Sequence, residues 1–166
     1  MFELNARAPF DLMRRFAPQM VARKEGWIVN ITSKTAELPP SPFNAFERSS
    51  GVTLYGVTKA ALNRMSVGIA AELGGTGVAV NAFAPFSIVW TPGAARTGME
   101  KFRSLPEWVE EPIEGMAEVA LAFATCDPDK VSGLCVYSTP YLQETGRKIM
   151  KLDGRTPLGD WKPIVD

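Results

Sequence analysis

The sequence predicts an α/β fold in which helices cover both faces of a small parallel sheet. Three short runs with the composition of strands alternate with helical patterns, namely Trp27–Thr32, Val78–Phe83 and Gly133–Tyr137. Each run is nearly continuous in apolar residues, which is expected where helices pack on both faces of a sheet. The chain has 166 residues, of which 46% are hydrophobic and 22% charged, the balance of one ordinary globular domain. We therefore expect three layers with about three strands.

Three helices are predicted around these strands. Apolar residues recur at helical spacing over about Ala6–Arg23 and Val52–Leu73. We expect Gly26 to end the first helix and Gly74-Gly75 the second, because glycine is common just past a helix. Pro112 suits the first turn of a third helix that runs to about Thr125, and a short helix and a surface tail are expected after the last strand.

The connecting segments are long. Ser33–Ser50 is predicted to be a loop, since its three prolines disfavour a continuous helix or a central strand. Ala84–Glu111 is rich in proline and glycine, so we expect short helices and mobile loop there. The order α-β-α-β-α-β opens on a helix with no strand before it, and the predicted sheet is therefore incomplete.

Charge and hydropathy patterning exclude several classes of protein. Eighteen basic and eighteen acidic residues cancel, so no net positive charge favours nucleic acid or an anionic membrane. The longest uncharged run, Leu73–Ala95, is interrupted by glycines and prolines and is expected to be a strand and a loop, not a membrane span. Glu3, Arg7 and Asp11 do not fit a signal-peptide core. We therefore expect a cytoplasmic protein.

The side chains present also limit the chemistry. There is no histidine, so a Ser-His-Asp or Cys-His site within this chain is excluded. Cys126 and Cys135 are nine positions apart, which fits neither a CxxC redox pair nor a zinc site. We expect two free thiols and no bound metal. Acid–base chemistry must use tyrosine, lysine, cysteine or carboxylates.

Tyr55 and Lys59 are the strongest candidates for such chemistry. They stand four positions apart in a predicted helix, so both side chains lie on one face, one turn apart. A phenol is a poor base at neutral pH, but a nearby ammonium stabilises the phenolate and makes the group usable for proton transfer. A core tyrosine beside a solvated lysine has the same spacing, so the pair alone does not decide.

The segments around this pair resemble the short-chain dehydrogenase/reductase family. G-W-I-V-N-I-T-S at Gly26–Ser33 is similar to the family's G-x-I-V-N-I-S-S. The pair continues as Y-G-V-T-K-A-A-L, and G-V-A-V-N-A-F-A-P follows at Gly77–Pro85, in the order that the family has. The resemblance extends over about Asn5–Tyr137 and implies a Rossmann-like fold.

The resemblance implies a catalytic set of Asn5, Ser33, Tyr55 and Lys59. Tyr55 is then expected to exchange a proton with the alkoxide or alcohol, and Ser33 to hydrogen-bond the carbonyl oxygen. Lys59 is expected to support Tyr55 and to hold the nicotinamide ribose. Asn5 is expected to help to hold a water that relays protons to Lys59, which is compatible with a helix-capping role.

The implied cofactor is NAD or NADP, and the implied substrate is a small carbonyl or alcohol. In the family, the loop after the second strand contacts the nicotinamide. The residues expected to contact the cofactor here are Tyr55, Lys59, Pro85, Phe86, Ile88 and Thr91. Phe86 departs from the family, which usually has glycine there, and this puts the backbone path of the loop in question because glycine adopts conformations closed to phenylalanine.

A second departure is the segment between Ser33 and Tyr55, which is longer than is usual in the family. It is either a plain surface insertion or part of the substrate pocket or of a subunit contact. Three aromatic residues fall where the family has its substrate lid, and ordinary local packing explains them equally well; they are Trp90, Phe102 and Trp108.

The family's glycine-rich turn, which cradles the pyrophosphate, is not found in this sequence. We therefore expect residues 1–166 to be a single partial domain, the C-terminal catalytic half of the family's fold, inactive alone. Strand Trp27–Thr32 is expected to lie at a sheet edge that promotes association. The family's helices equivalent to Ala6–Arg23 and Val52–Leu73 commonly pack against a second subunit, so a homo-oligomer is expected.

Two other functions stay open besides the oxidoreductase. One is a relative that uses Y-x-x-x-K and bound NAD for epimerisation or dehydration of nucleotide sugars. The V-N-A-x-x-P segment and the continuation Ala60-Ala61-Leu62 favour the oxidoreductase over it. The other is a non-catalytic remnant that associates with another chain through its unfinished sheet.

Overall fold

The structure is a computed structural model that describes residues 1–105 and 108–159. Helices and strands alternate along the chain as the sequence predicts. The helices are α1 (Ala8–Arg23), α2 (Ala45–Ser49), α3 (Thr53–Glu72), α4 (Pro92–Arg96), α5 (Ile113–Ala124) and α6 (Ser138–Glu144), and the strands are β1 (Gly26–Ile31), β2 (Val78–Ala84) and β3 (Cys135–Tyr137). A π-helical turn at Glu3–Arg7 precedes α1, and 3-10 turns occupy Lys34–Ala36 and Met99–Phe102.

The described strands form one parallel sheet in the order β1-β2-β3. Strand β1 pairs with β2 from Gly26 opposite Val78 to Ile31 opposite Phe83. Strand β3 pairs with the last part of β2, with Tyr137 opposite Ala84. The carboxyl ends of all three strands therefore meet at one edge of the sheet, and β1 lies at its side. This confirms the predicted α/β fold and the edge position of β1.

Helices cover both faces of the sheet, which makes three layers. One face packs against α1 and α3 through a buried cluster of Met13, Ala70 and Val80. The other packs against α5 and α6 through Phe83, Val119, Phe123 and Leu142. Every residue of β2 is buried, as a central strand between two helical layers requires.

The expectation that Gly26 ends the first helix is wrong, although the predicted last residue, Arg23, is right. Helix α1 ends at Arg23, and Lys24 adopts the left-handed conformation at its C-cap with φ 54°. Gly26 is instead the first residue of β1. A glycine is required at Gly77, where φ is 79° and a Cβ would overlap the carbonyl oxygen of Lys24. The turn between α1 and β1 therefore packs closely against the turn that precedes β2.

The predicted loop Ser33–Ser50 contains helical structure. Helix α2 lies within it and has a reciprocal capping box, in which Asn44 accepts from the Glu47 N–H and Glu47 accepts from the Asn44 N–H. Local capping therefore outweighs the nearby prolines. Helix α3 runs over Thr53–Glu72, α5 over Ile113–Ala124 and β3 over Cys135–Tyr137, within one or two residues of prediction.

Within residues 1–105 and 108–159, every helix is too short or too polar to cross a bilayer.

Candidate active site

Helix α3 presents Tyr55 and Lys59 beside the carboxyl end of β1. The two side chains are half-buried, and the Lys59 Nζ lies 5.6 Å from the centroid of the Tyr55 ring. The Lys59 ammonium donates to the carbonyl oxygen of Ile31, the last residue of β1, at 2.9 Å. Burial lowers the pKa of Lys59 because it disfavours the charged ammonium. The pair thus stands on one helical turn that is fastened to the sheet.

Asn5 lies against the same turn of α3. Its Nδ2 donates to the Thr58 hydroxyl at 3.0 Å, and that hydroxyl donates to the carbonyl oxygen of Tyr55 at 2.7 Å. Thr58 is fully buried. Asn5 belongs to the π-helical turn at Glu3–Arg7, and such turns are frequent at functional sites. Thr58 was not singled out from the sequence, although it stands within the Y-x-x-x-K segment.

Ser33 follows β1 and caps the 3-10 turn at Lys34–Ala36. Its Oγ accepts from the Thr35 backbone N–H at 3.2 Å and from the Thr35 hydroxyl at 2.9 Å. The preceding Thr32 is buried, and its hydroxyl contacts the carbonyl oxygen of Lys59 at 3.4 Å. The end of β1 and helix α3 are therefore joined in both directions around the four predicted catalytic residues.

The loop after β2 is anchored by a buried carboxylate. The backbone N–H of Phe86 donates to Glu111 Oε1 and to the Ser138 hydroxyl, each at 3.0 Å. Lys24 is the one non-glycine residue with positive φ in the described part of the chain, so Phe86 has an ordinary backbone conformation. Its ring contacts Tyr137 edge to face, with centroids 6.1 Å apart, and the Lys34 ammonium lies 4.5 Å from the ring centroid. Phenylalanine therefore replaces the family's glycine without strain.

Glu111 was not predicted from the sequence. Its carboxylate also accepts from the hydroxyls of Ser138 at 2.7 Å and Thr139 at 2.9 Å. Burial raises the pKa of Glu111, and these hydrogen bonds only partly oppose the shift. The partners come from two parts of the chain, both more than twenty residues away from Glu111, and no local pattern reveals such a contact.

Ile88 and Thr91 occupy defined positions in the same loop. The N–H of Ile88 donates to Val109 at 3.0 Å, and its carbonyl accepts from Glu111 N–H at 2.9 Å. Thr91 is the N-cap of α4, where its Oγ1 accepts from the Ala94 N–H at 3.1 Å. Both backbone groups of Ile88 are therefore engaged within the protein, whereas nothing among residues 1–105 and 108–159 accepts a hydrogen bond from the Thr91 hydroxyl.

The long segment between β1 and α3 contacts the segment after β2. The ring of Phe46, in α2, lies 5.2 Å from that of Phe102, which is 6% exposed.

Trp90 and Trp108 also contact each other, with ring centroids 5.9 Å apart. Arg103 covers the Trp90 ring and forms a 2.8 Å ion pair with Glu110. The hydrogen bond from Trp108 lowers the pKa of Glu110 most, and the hydrogen bond from Arg103 lowers it further. These aromatic residues pack locally, and the inserted segment takes part in that packing through Phe46.

Comparison with known proteins shows the family of the chain. The family model described as short chain dehydrogenase matches residues 1–102, so the chain belongs to the short-chain dehydrogenase family. The prediction that the chain is only the family's C-terminal half is wrong, because this match begins at the first residue and covers the N-terminal portion of the chain. The expectation that the chain is inactive alone depended on that prediction, which therefore no longer supports it.

Individual relatives are distant. Oxidoreductase UcpA of Escherichia coli strain K12 is 30% identical over 135 residues, which are 81% of this chain and 47% of the relative. A 3-oxoacyl-[acyl-carrier protein] reductase with bound NAD from Brucella melitensis is 28% identical with a TM-score of 0.59, over 81% of this chain and 47% of that one.

A third similar protein is a putative NAD(P)-dependent gluconate 5-dehydrogenase from Beutenbergia cavernae, solved with bound NADP. It is 26% identical with a TM-score of 0.62, over 82% of this chain and 53% of that one. The chain thus spans about half the length of the curated relatives it matches.

Proposed function

We propose that the chain acts in hydride transfer between NAD or NADP and a small carbonyl or alcohol substrate, with Tyr55 as the acid–base group. The observation that carries this is the Tyr55–Lys59 pair on α3, with the Lys59 ammonium bound to the last carbonyl of β1. The family match supports the reaction class, and two solved relatives carry NAD and NADP.

Tyr55 moves the proton in this proposal. In the reducing direction its hydroxyl protonates the alkoxide that forms from the carbonyl, and in the oxidising direction the phenolate removes the alcohol proton. The Lys59 ammonium lies 5.6 Å from the ring centroid, one helical turn along the same face of α3. Ser33 donates a hydrogen bond to the substrate oxygen and stabilises its developing negative charge.

Asn5 acts on this pair through the helix. Its amide donates to the Thr58 hydroxyl, and that hydroxyl donates to the carbonyl of Tyr55, so Asn5 is linked to the turn that carries the two side chains. This is a positioning role beside the water-holding role that the resemblance implies.

Lys59 and Thr91 carry donors that fit the nicotinamide and ribose end of a dinucleotide. A lysine ammonium has three hydrogens, and the Ile31 carbonyl accepts one from Lys59, which leaves two for the hydroxyls of a ribose. The Thr91 hydroxyl, which no described residue accepts a hydrogen bond from, can donate to a carboxamide. When bound, the nicotinamide supplies the hydride or accepts it.

The test is Tyr55→Phe. We expect turnover to fall at least about a hundredfold, the contribution of general acid–base catalysis, while cofactor affinity changes less than about twofold. The assay follows NADH and NADPH absorbance at millimolar cofactor with ethyl acetoacetate and diacetyl as probe carbonyls. Tyr141→Phe is the matched control, since Tyr141 lies on α6 against Phe123 and away from the site. Turnover near the wild-type value in Tyr55→Phe, or none in the wild type, contradicts the proposal.

A further inference from the structure

Thr35 contacts Ser33 through two different groups. The Ser33 Oγ accepts from the backbone N–H of Thr35 at 3.2 Å and from its hydroxyl at 2.9 Å. A serine hydroxyl has two acceptor lone pairs and one hydrogen. With both lone pairs occupied, the hydrogen is the one function of Ser33 left for another molecule.

Thr35 also contacts helix α3. Its carbonyl oxygen lies against Gly56, the residue after Tyr55, so closely that a Cβ at Gly56 would overlap it. The 3-10 turn at Lys34–Ala36 therefore rests directly on the turn of α3 that carries Tyr55. One residue thus contacts both the Ser33 hydroxyl and the backbone beside Tyr55.

We infer that Thr35 is a positioning residue that orients the Ser33 hydroxyl as a hydrogen-bond donor and fixes its place relative to Tyr55. The inference rests on the proposed function. The O–H of Ser33 must point at the substrate oxygen to stabilise its negative charge, and a hydroxyl held at both lone pairs has little freedom to turn away. Capping of the 3-10 turn needs only the backbone N–H of Thr35. The hydroxyl contact is additional to that cap.

The first experiment compares Thr35→Val with Thr35→Ser in the turnover assay described above. Valine keeps the shape and loses the hydroxyl, whereas serine keeps the hydroxyl. We expect kcat to fall about threefold to tenfold in Thr35→Val, the usual range for one hydrogen bond, with KM for the cofactor unchanged. Thr35→Ser should restore kcat. Thr125→Val, which removes a helix-end hydroxyl contact to Leu121 far from Ser33, is the control.

Three results overturn the inference. One is an unchanged or a higher kcat in Thr35→Val. A higher kcat would mean that the Ser33 hydroxyl donates its hydrogen to Thr35 instead of to the substrate oxygen. Another is an equal loss in Thr35→Ser, which would make the effect one of shape. The last is a matching loss of kcat in Thr125→Val.

The second experiment needs no turnover and separates this inference from the proposed function. A double-mutant cycle of Thr35→Val with Ser33→Ala, measured by urea unfolding, reports the contact itself. We expect a coupling of about threefold in the folding equilibrium constant. A coupling indistinguishable from one overturns the inference whatever the turnover. Coupling together with a wild-type chain that turns over neither probe would overturn the proposed function and, with it, the catalytic part of the inference alone.

Discussion

At the scale of single residues, Gly56 sets how close the Ser33 loop comes to the catalytic helix. Glycine inside a helix costs about 0.5–1 kcal/mol relative to alanine. The benefit here is room for the carbonyl oxygen of Thr35, which no Cβ would leave. The same contact places the Ser33 hydroxyl next to the helical turn that carries Tyr55. Gly56 thus lowers the stability of the helix but allows the Ser33 loop to approach it.

We predict that Gly56→Ala lowers the unfolding free energy by about 1–3 kcal/mol, the usual cost of overpacking, despite alanine's better helix propensity. Turnover should fall as well, because the Ser33 loop must move. Gly68→Ala in the same helix is the control, since the closest atom to its added Cβ is Nη1 at the end of the flexible Arg64 side chain. Urea unfolding of both variants decides the matter. Equal stability changes in the two would contradict the close approach at Gly56.

Glu111 gives a prediction about pH. Its pKa in the folded protein is raised above the ordinary value of 4.5 by burial, so the folded state keeps this proton to higher pH than the unfolded chain does. The stability that this group contributes is therefore fully present below pH 4.5 and is lost as pH rises through the folded-state pKa.

Glu111→Gln removes this titration. We expect the difference in unfolding free energy, wild type minus variant, to decline as pH rises from 4.5, measured by urea unfolding at a series of pH values. Glu144→Gln, on the exposed side of α6, is the control because it makes the same change from carboxylate to amide at an exposed position. A difference that is constant with pH, or that grows, would show that the carboxylate of Glu111 is not held in a desolvated position.

At the scale of elements, β1 is an apolar strand at the side of the sheet. The Ile31 side chain is 57% exposed there, and β2 is its one partner strand among the described residues. Unpaired backbone groups next to exposed apolar side chains promote association of edges. We predict that Ile31→Lys reduces light-scattering aggregates, because a charge on an edge strand disfavours edge pairing.

Leu38→Lys is the control for this charge, since Leu38 is 93% exposed in a loop outside the sheet. The two variants gain the same charge, so a difference between them reports the edge. Equal aggregation in both variants and the wild type would show that β1 does not mediate association.

The alternation of elements was predictable from the sequence because apolar runs and helical spacing are local patterns. The last residue of α1 was predictable too, but its cap was not, since Lys24, and not Gly26, takes the left-handed position that glycine usually takes. Helix α2 was missed although its signal, Asn44 followed by Glu47, is present in the sequence. The prolines nearby outweighed it in the prediction.

The candidate site likewise contains residues that were predictable from the sequence and residues that were not. Asn5, Ser33, Tyr55 and Lys59 follow from motifs, and the structure brings them to the junction of α3 with the end of β1. Thr58 and Glu111 contact residues far away in sequence, so no pattern within one segment could reveal them. The engagement of Ile88 by Val109 is likewise a tertiary contact. Whether these residues serve catalysis stays a prediction.

At the scale of the whole molecule, the outer surface of α1 and α3 exposes apolar side chains between charged ones such as Arg14 and Arg64. A groove of about 480 Å³ runs between them, with Phe10 and Ile69 among its lining residues. Other exposed apolar side chains on these two helices are Leu12, Phe16, Leu54, Val57 and Val67. We propose that a second copy of this chain covers this surface, because apolar groups exposed on neighbouring helices favour burial in an interface.

We predict that the wild-type chain is a homo-oligomer at micromolar concentration and that Phe10→Asp shifts it to the monomer, measured by light scattering with size-exclusion chromatography. Leu121→Asp is the control, because Leu121 is 51% exposed on α5 in the opposite layer. A monomeric wild type, or the same mass for the wild type and Phe10→Asp, would contradict this interface.

The contact between Phe46 and Phe102 constrains how the chain can be redesigned. It joins the segment after β1 to the segment after β2, and the Phe102 ring is 6% exposed because other groups cover it. Deleting α2 to shorten the Ser33–Tyr55 segment would open that ring to water. The two segments therefore cannot be edited independently, and a shortened chain must replace Phe102 with a polar side chain at the same time.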